Sequence, residues 1–322
     1  MTFTQRLKSS AAGFVRSALG IGFAVALVAQ PSGTFAQTAP AVSPAIALKA
    51  TPQAQGSGPA LWVIRDADST LYLFGTVHVL RPTTAWGSAR VDAAFDSADE
   101  IWFEISNPDD QAAVMPLVQR YGLSPDRPLS FLLTPAELVA LNAAASAAGL
   151  TAAQLDPFRP WLASLTLAVA PLTKAGYDPA SGVELVLKPR AEAAGKPIKA
   201  FETIDLQIGF LAGLNEADQL AFLRLTLEAY EDAATELDQL VEAWATGDVA
   251  GIERVVTEMR EESPAMYDIL LVRRNTDWAN QIQSLLAGSG TAFIAVGAAH
   301  LAGEDSVQAL LEDRGVVVAA VQ

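Results

Sequence analysis

Residues 61–64 and 70–79 are apolar runs rich in β-branched and aromatic side chains, and Arg65-Asp66-Ala67-Asp68-Ser69 between them has turn chemistry. The pattern predicts a β-hairpin. Val91, Ala94, Phe95 and Ala98 then recur at helical intervals, and the run Ile101-Trp102-Phe103-Glu104-Ile105 is of buried-strand type, so the domain opens β-β-α-β. Thr134-Pro135-Ala136-Glu137 combines a capping hydroxyl, a first-turn proline and an acid at the third position. It predicts a helix that continues through Leu138, Leu141 and Ala145 and ends at Gly149. Further helices are predicted over 157–171 and 182–194, followed by a strand at 198–201. From 215 to 262 the chain is helical, with Leu227, Tyr230, Ala234, Leu237, Val241 and Trp244 at three-four spacing. An amphipathic helix over 271–286, a strand at 292–296, a helix near 304–312 and a strand at 316–321 complete the pattern. Strands alternating with helices at both ends predict an α/β fold. Its sheet is central, mixed or mainly parallel and flanked by helices, with the helical middle as an insertion.

The N-terminus is read differently. Arg6, Lys8 and Arg16 precede a 13-residue apolar run, SALGIGFAVALVA, and small residues follow it. That run is too short to span a bilayer as a helix, and its layout is that of a secretory leader over 1–36. The expectation is export to the periplasm or the extracellular space. Residues 37–59, rich in Ala, Pro, Ser, Gly and Gln, are expected to form a flexible tether, leaving 60–322 as the domain. No later run predicts a membrane span, because residues 161–170 are flanked by Pro160 and Pro171.

Composition narrows the chemistry. The 322 residues carry 21 basic and 36 acidic side chains, a net charge of −15 that disfavours a nucleic-acid partner. Cysteine is absent, which removes disulfides, thiolate metal sites and a cysteine nucleophile. Eleven acidic residues against two arginines between 228 and 262 are expected to form a solvated outer face; the alternative is an acidic lid that steers a cationic substrate.

Histidine occurs twice, and both copies sit in one arrangement: an apolar strand, then Gly75-Thr76-Val77-His78 and Gly297-Ala298-Ala299-His300. Two strands ending in G-x-x-H are expected to bring both imidazoles to the carboxyl edge of the sheet, where open α/β sheets bind ligands. Glycine there permits a close approach of backbone, and the histidines are expected to be presented rather than buried. Imidazole serves either as a metal ligand or as a proton acceptor, and a carboxylate would complete the set. Glu104 is the leading candidate, because it interrupts an apolar strand where an unpaired charge is penalised; the alternative is a strand end that reaches solvent. Asn275 breaks the apolar stripe Leu271, Trp278, Ile282 and Leu285, with Arg274 beside it, and is read equally as a structural bond or a substrate contact. Glu202 lies at another strand end with Gln207 beyond it, where helix capping by Thr203 or Glu202 is the competing explanation.

Taken as an ordered set, Tyr72-Leu73-Phe74-Gly75-Thr76-Val77-His78, the Glu104 strand, Phe201-Glu202-Thr203 with Gln207, Trp244-Ala245-Thr246-Gly247-Asp248, Arg274-Asn275 with Trp278-Ala279, and Val296-Gly297-Ala298-Ala299-His300-Leu301-Ala302-Gly303 resemble the TraB/PrgY/GumN family. In its paired G-x-x-H motifs that family is similar to the Tiki metal-dependent proteases, and in fold to erythromycin esterase and ChaN-like proteins. The resemblance implies His78, His300 and Glu104 as the metal or catalytic centre; nitrogen and oxygen donors do not discriminate sharply among divalent Mn, Co and Zn, so the expected ion is one of these. Arg274, Asn275 and Glu202 are then implied as catalytic neighbours, with Arg274 or Asn275 receiving a developing oxyanion. It also implies a peptide or other small substrate. The expected function is an exported metal-dependent hydrolase acting on peptides. The alternative is a protein that sequesters a peptide or saccharide in the same cleft. Ser106 stands where the family commonly places an acidic residue, so no second carboxylate is available at that position.

Overall fold

The computed structural model describes residues 51–107 and 110–322; the expected leader and the tether up to residue 50 lie outside the described residues. Strands β1 (Leu61–Arg65) and β2 (Ser69–Thr76) form the predicted hairpin, antiparallel, with Arg65 opposite Thr70. Its turn is closed by the Asp66 carboxylate, which accepts from the Ser69 amide at 2.8 Å. After helix α1 (Ala89–Ser97) come β3 (Glu100–Phe103), β4 (Ile198–Ala200), β5 (Gly290–Gly297) and β6 (Val318–Ala320). One six-stranded sheet results, in the order β4-β3-β5-β2-β1-β6. β4, β3, β5 and β2 run parallel, and β1 is antiparallel to both of its neighbours. The sheet is mixed, and the fold is α/β. Both outermost strands are only three residues long.

Alternation along the strands divides the core between the two faces. Phe74, Ile101, Phe103, Phe293 and Ala295 face a large apolar cluster shared with most of the helices. Leu71, Leu73, Ala292, Ile294 and Val296 face a smaller one with Trp278, Ile282 and Leu311. The helical middle follows: α2 (Gln111–Tyr121), α3 (Pro135–Ala147), α4 (Pro160–Lys174), α5 (Val183–Ala193), α6 (Ile204–Ala212), α7 (Glu216–Glu228), α8 (Ala233–Thr246) and α9 (Val249–Glu262). α10 (Arg273–Leu286) and α11 (Val307–Glu312) close the chain. The Thr134 hydroxyl and the Glu137 carboxylate form a complete capping box at the start of α3. None of the eleven acids between 228 and 262 is buried, in keeping with a solvated face.

Several boundaries differ from the pattern. α4 runs through Pro171 to Lys174 instead of stopping at it. Its face, with Leu165, Leu167, Ala168 and Leu172, is buried, and packing outweighs the one backbone bond the proline removes. No helix among the described residues is long and apolar enough to cross a membrane. Helices α2 and α6 were not evident in the periodicity. Residues 51–59, expected as part of the tether, are bonded to the domain: the Trp86 and Gly87 amides donate to the Pro52 carbonyl, and Arg90 donates to Gly58 and Pro59. The motif Trp244 to Asp248 is structural throughout. The Trp244 indole donates to the Gly75 carbonyl at 2.7 Å, Gly247 adopts φ +77° to end α8, and Asp248 caps α9 through the Gly251 amide.

Candidate active centre at the carboxyl edge of the sheet

The register places Thr76 beside Gly297 and Phe103 beside Ala295, so the chains leaving β2, β3 and β5 meet at one edge. A Cβ on Gly75 would stand 3.1 Å from Ala298 Cα, which is why the two strand ends come together at a glycine. His78, Glu104 and His300 converge here. Glu104 Oε1 lies 3.9 Å from His78 Nε2 and 3.8 Å from His300 Nε2, and accepts the Gly297 amide at 2.8 Å. The expectation of presented histidines holds poorly. His300 is fully buried, and the His78 side chain keeps 18% of its surface. The chain from α9 to α10 is tied to the segment that follows His300 by the Tyr267 hydroxyl on Asp305 and by the Arg260–Glu304 ion pair.

Arg274, buried with Glu104 and Glu202, organises the centre. Its Nη2 donates to Glu104 Oε2 at 2.6 Å and to Glu202 Oε2 at 2.9 Å, and Nε donates to Glu202 Oε1 at 2.9 Å. Nη1 faces the Leu270 carbonyl and His300 Nε2, each at 3.2 Å. Gln207 donates to both carboxylates, and the Trp278 indole N–H donates to Glu202 at 2.9 Å while its ring lies 4.3 Å from that of His300. Glu202 is thus the second carboxylate that Ser106 does not supply. The capping alternative falls to Thr203, whose hydroxyl accepts the Leu206 amide at the start of α6. Asn275 has a structural partner at each end: its Nδ2 donates to the Asp305 carbonyl at 2.7 Å, and its Oδ1 meets His300 Nδ1. Arg274 and Asn275 follow a π-helical turn, Asp268–Val272, an irregularity often found at functional sites.

One member was not evident in the sequence. Glu184, in the first turn of α5, lies 3.0 Å from His78 Nδ1, and its Oε1 also accepts the Thr76 hydroxyl. An acid in the first turn of a helix is ordinary, so nothing in the pattern marked it. His78 Nε2, in contrast, is buried and has no hydrogen-bond partner.

Three buried carboxylates thus share one guanidinium and two imidazoles, and the balance of burial and charge shifts Glu104, His78 and Glu184. Burial pushes the Glu104 carboxyl above the usual range, and the Glu202 charge adds to this; Arg274 and His78 only partly oppose it. Burial disfavours charged His78, but Glu184 and Glu104 outweigh that and leave the imidazole more basic than usual. Burial would raise Glu184 as well, yet the charge and hydrogen bond of His78 and the Thr76 hydroxyl hold it below the usual range. The signs define a window. The Glu184 contribution to stability is lost as pH falls below the ordinary 4.5 and through its lower folded value, and the His78 contribution is lost as pH rises above 6.5 and through its raised folded value. The stability gap between the metal-free wild type and Glu184→Gln is therefore expected to be widest between these pH values and to narrow on both sides. Urea unfolding across the pH range reads it, and a pH-independent gap would refute the pairing.

These donors suit a hard or borderline divalent cation. Two imidazole nitrogens and a carboxylate oxygen face one another, one nitrogen lacks a hydrogen-bond partner, and three carboxyl groups share a single guanidinium. The separations of 3.8 and 3.9 Å are somewhat wider than the ~3.4 Å between ligands about a tetrahedral zinc, and Arg274 would have to yield its contact with His300 Nε2.

Comparison with known proteins gives a consistent family and no activity. The model described as the TraB/PrgY/gumN family matches residues 60–320. An uncharacterized protein of Treponema pallidum is 22% identical over 79% of this chain and 80% of its own length. The uncharacterized protein YbaP of Escherichia coli is 23% identical over 79% of this chain and 92% of its own. No solved structure matches.

Proposed function

Because the chain belongs to the TraB/PrgY/gumN family, we propose that it is an exported, divalent-metal-dependent hydrolase of peptide bonds, on a scaffold of the erythromycin esterase and ChaN-like type. The observation that carries this reading is His78 Nε2, buried, without a hydrogen-bond partner and turned toward Glu104 beside His300. His78, His300 and Glu104 would hold the cation, with manganese, cobalt and zinc all compatible with these donors. When bound, such an ion polarises a carbonyl and acidifies a water molecule. Glu104 would either ligate the ion through Oε1, the atom that faces both imidazoles, or act as a base there, since burial makes it more basic than an ordinary carboxylate in the metal-free protein. Arg274 and Asn275 have hydrogen bonds to Glu104, Glu202, Leu270 and Asp305, so both are positioning residues in this reading and neither supplies the oxyanion contact. Peptide is the preferred substrate on the strength of the Tiki-like pair of G-x-x-H motifs.

The test is direct. Protein without the leader is loaded with each metal, dialysed and analysed for bound ion, and peptide cleavage is followed for the wild type, His78→Ala and His300→Ala. Wild type is expected to retain metal and to cleave, and each variant to lose both. If folded variants keep the metal and every activity, the centre is misassigned. Tight ligand binding by metal-free protein without turnover would favour sequestration instead.

A further inference from the structure

The hydrogen bonds around the two imidazoles are made by unlike partners and impose the same result. Asn275 directs its amide N–H to the Asp305 carbonyl, which leaves Oδ1 as the atom facing His300 Nδ1. An amide oxygen can only accept, so His300 carries its proton on Nδ1, and Nε2 presents its lone pair to the Arg274 N–H at 3.2 Å. On the other side, the Glu184 carboxylate faces His78 Nδ1 at 3.0 Å and likewise only accepts. His78 therefore also carries its proton on Nδ1 when neutral, with the Nε2 lone pair directed inward. A proton on Nε2 instead would set a ring lone pair against an oxygen lone pair at both sites.

Glu184 is held in place for this. The Thr76 hydroxyl, at the end of β2, donates to the same oxygen. The Val183 amide donates to the Val77 carbonyl at 3.1 Å, and Gly182 lies so close to His78 that a Cβ there would be 2.7 Å from its carbonyl carbon. The start of α5 is thus joined to the segment carrying His78 by backbone and side chain together.

We propose that Glu184, supported by Thr76, is the positioning residue that fixes His78 in the Nδ1–H tautomer, matching what Asn275 does for His300, so that both Nε2 atoms stand unprotonated beside Glu104 Oε1. This rests on the metal-centre reading for its purpose but not for its test. Partners of this kind, bonded to the far nitrogen of a ligating histidine, fix the ring and raise its donor strength.

The chain has two histidines, so imidazole ¹⁵N spectra contain two spin systems, and His300→Ala assigns them. Long-range ¹H–¹⁵N correlation on chelator-treated wild type, at alkaline pH where both rings are neutral, is expected to show two Nδ1–H tautomers. Glu184→Ala is expected to move His78 toward Nε2–H, the form favoured in water, and to leave His300 unchanged. Glu184→Gln, whose amide oxygen still accepts, is expected to restore Nδ1–H. Metal affinity is expected to fall about 10- to 100-fold in Glu184→Ala and less in Glu184→Gln. A wild-type His78 in the Nε2–H form overturns the proposal even if no variant folds, as does a tautomer that Glu184→Ala leaves untouched. Two Nδ1–H rings in a wild type that binds no metal would uphold the tautomer lock and refute the metal centre. Wild-type metal affinity with an unchanged His78 ring in Glu184→Ala would do the reverse.

Discussion

Arg274→Met is expected to destabilise the protein by about 3–5 kcal/mol, the usual cost of removing one partner from a buried ion pair. The guanidinium has no exposure and bonds to two carboxylates that are themselves nearly buried. Methionine preserves much of the volume and removes the charge, so Glu104 and Glu202 lose their common counter-ion while remaining buried. Burial already pushes Glu104 upward with Arg274 present, and without it the carboxyl would be held as the neutral acid. Urea or thermal unfolding measures the loss. The triple variant Arg274→Met with Glu104→Gln and Glu202→Gln is expected to recover a large part of it, because charge is then removed as a set. If Arg274→Met lies within about 1 kcal/mol of wild type, the carboxylates are not ionised in the fold and the charge account of the centre fails.

Gly182→Ala is expected to cost about 1–3 kcal/mol, as overpacking usually does, and to impair the centre more than that figure conveys. Gly182 has φ −57° and ψ 147°, a conformation open to any residue, so no backbone strain is involved. Space is the constraint: a methyl group there would enter the carbonyl of His78, which is backbone and has little freedom to yield. The start of α5 must then separate from the segment carrying His78, and Glu184 moves with it. Denaturation gives the stability cost and metal titration gives the loss at the centre. Gly182→Ala with wild-type values of both would show that the contact is not tight.

How much of this was legible depended on whether a residue's role is local. The hairpin, the capping box at Thr134 and the alternation of strands with helices are local patterns, and they appear as expected. His78, His300 and Glu104 were recognisable because each is chemically unusual in its own segment, a polar group at or beside an apolar strand. Glu184 was not, since an acid in the first turn of a helix is common and its partner His78 is more than a hundred residues away. Gly182 carries no mark either: its negative φ gives no turn signature, unlike Gly247, whose φ of +77° ends α8. The burial of His300 was missed for the same reason, because the groups packed on its ring, Glu104, Arg274, Asn275 and Trp278, come from other segments of the chain.

The two outermost strands matter for a different reason than the centre does. β4 and β6 are three residues each, and β4 presents Lys199 to solvent. An open sheet edge is a template on which another chain can add a strand, and its hazard grows with length and flatness. Edges this short, one of them carrying a lysine, offer little for a neighbouring molecule to copy. Variants that loosen the buried ion cluster should therefore unfold more readily without seeding ordered aggregates through the sheet, so that loss of function and loss of solubility are separable in this protein.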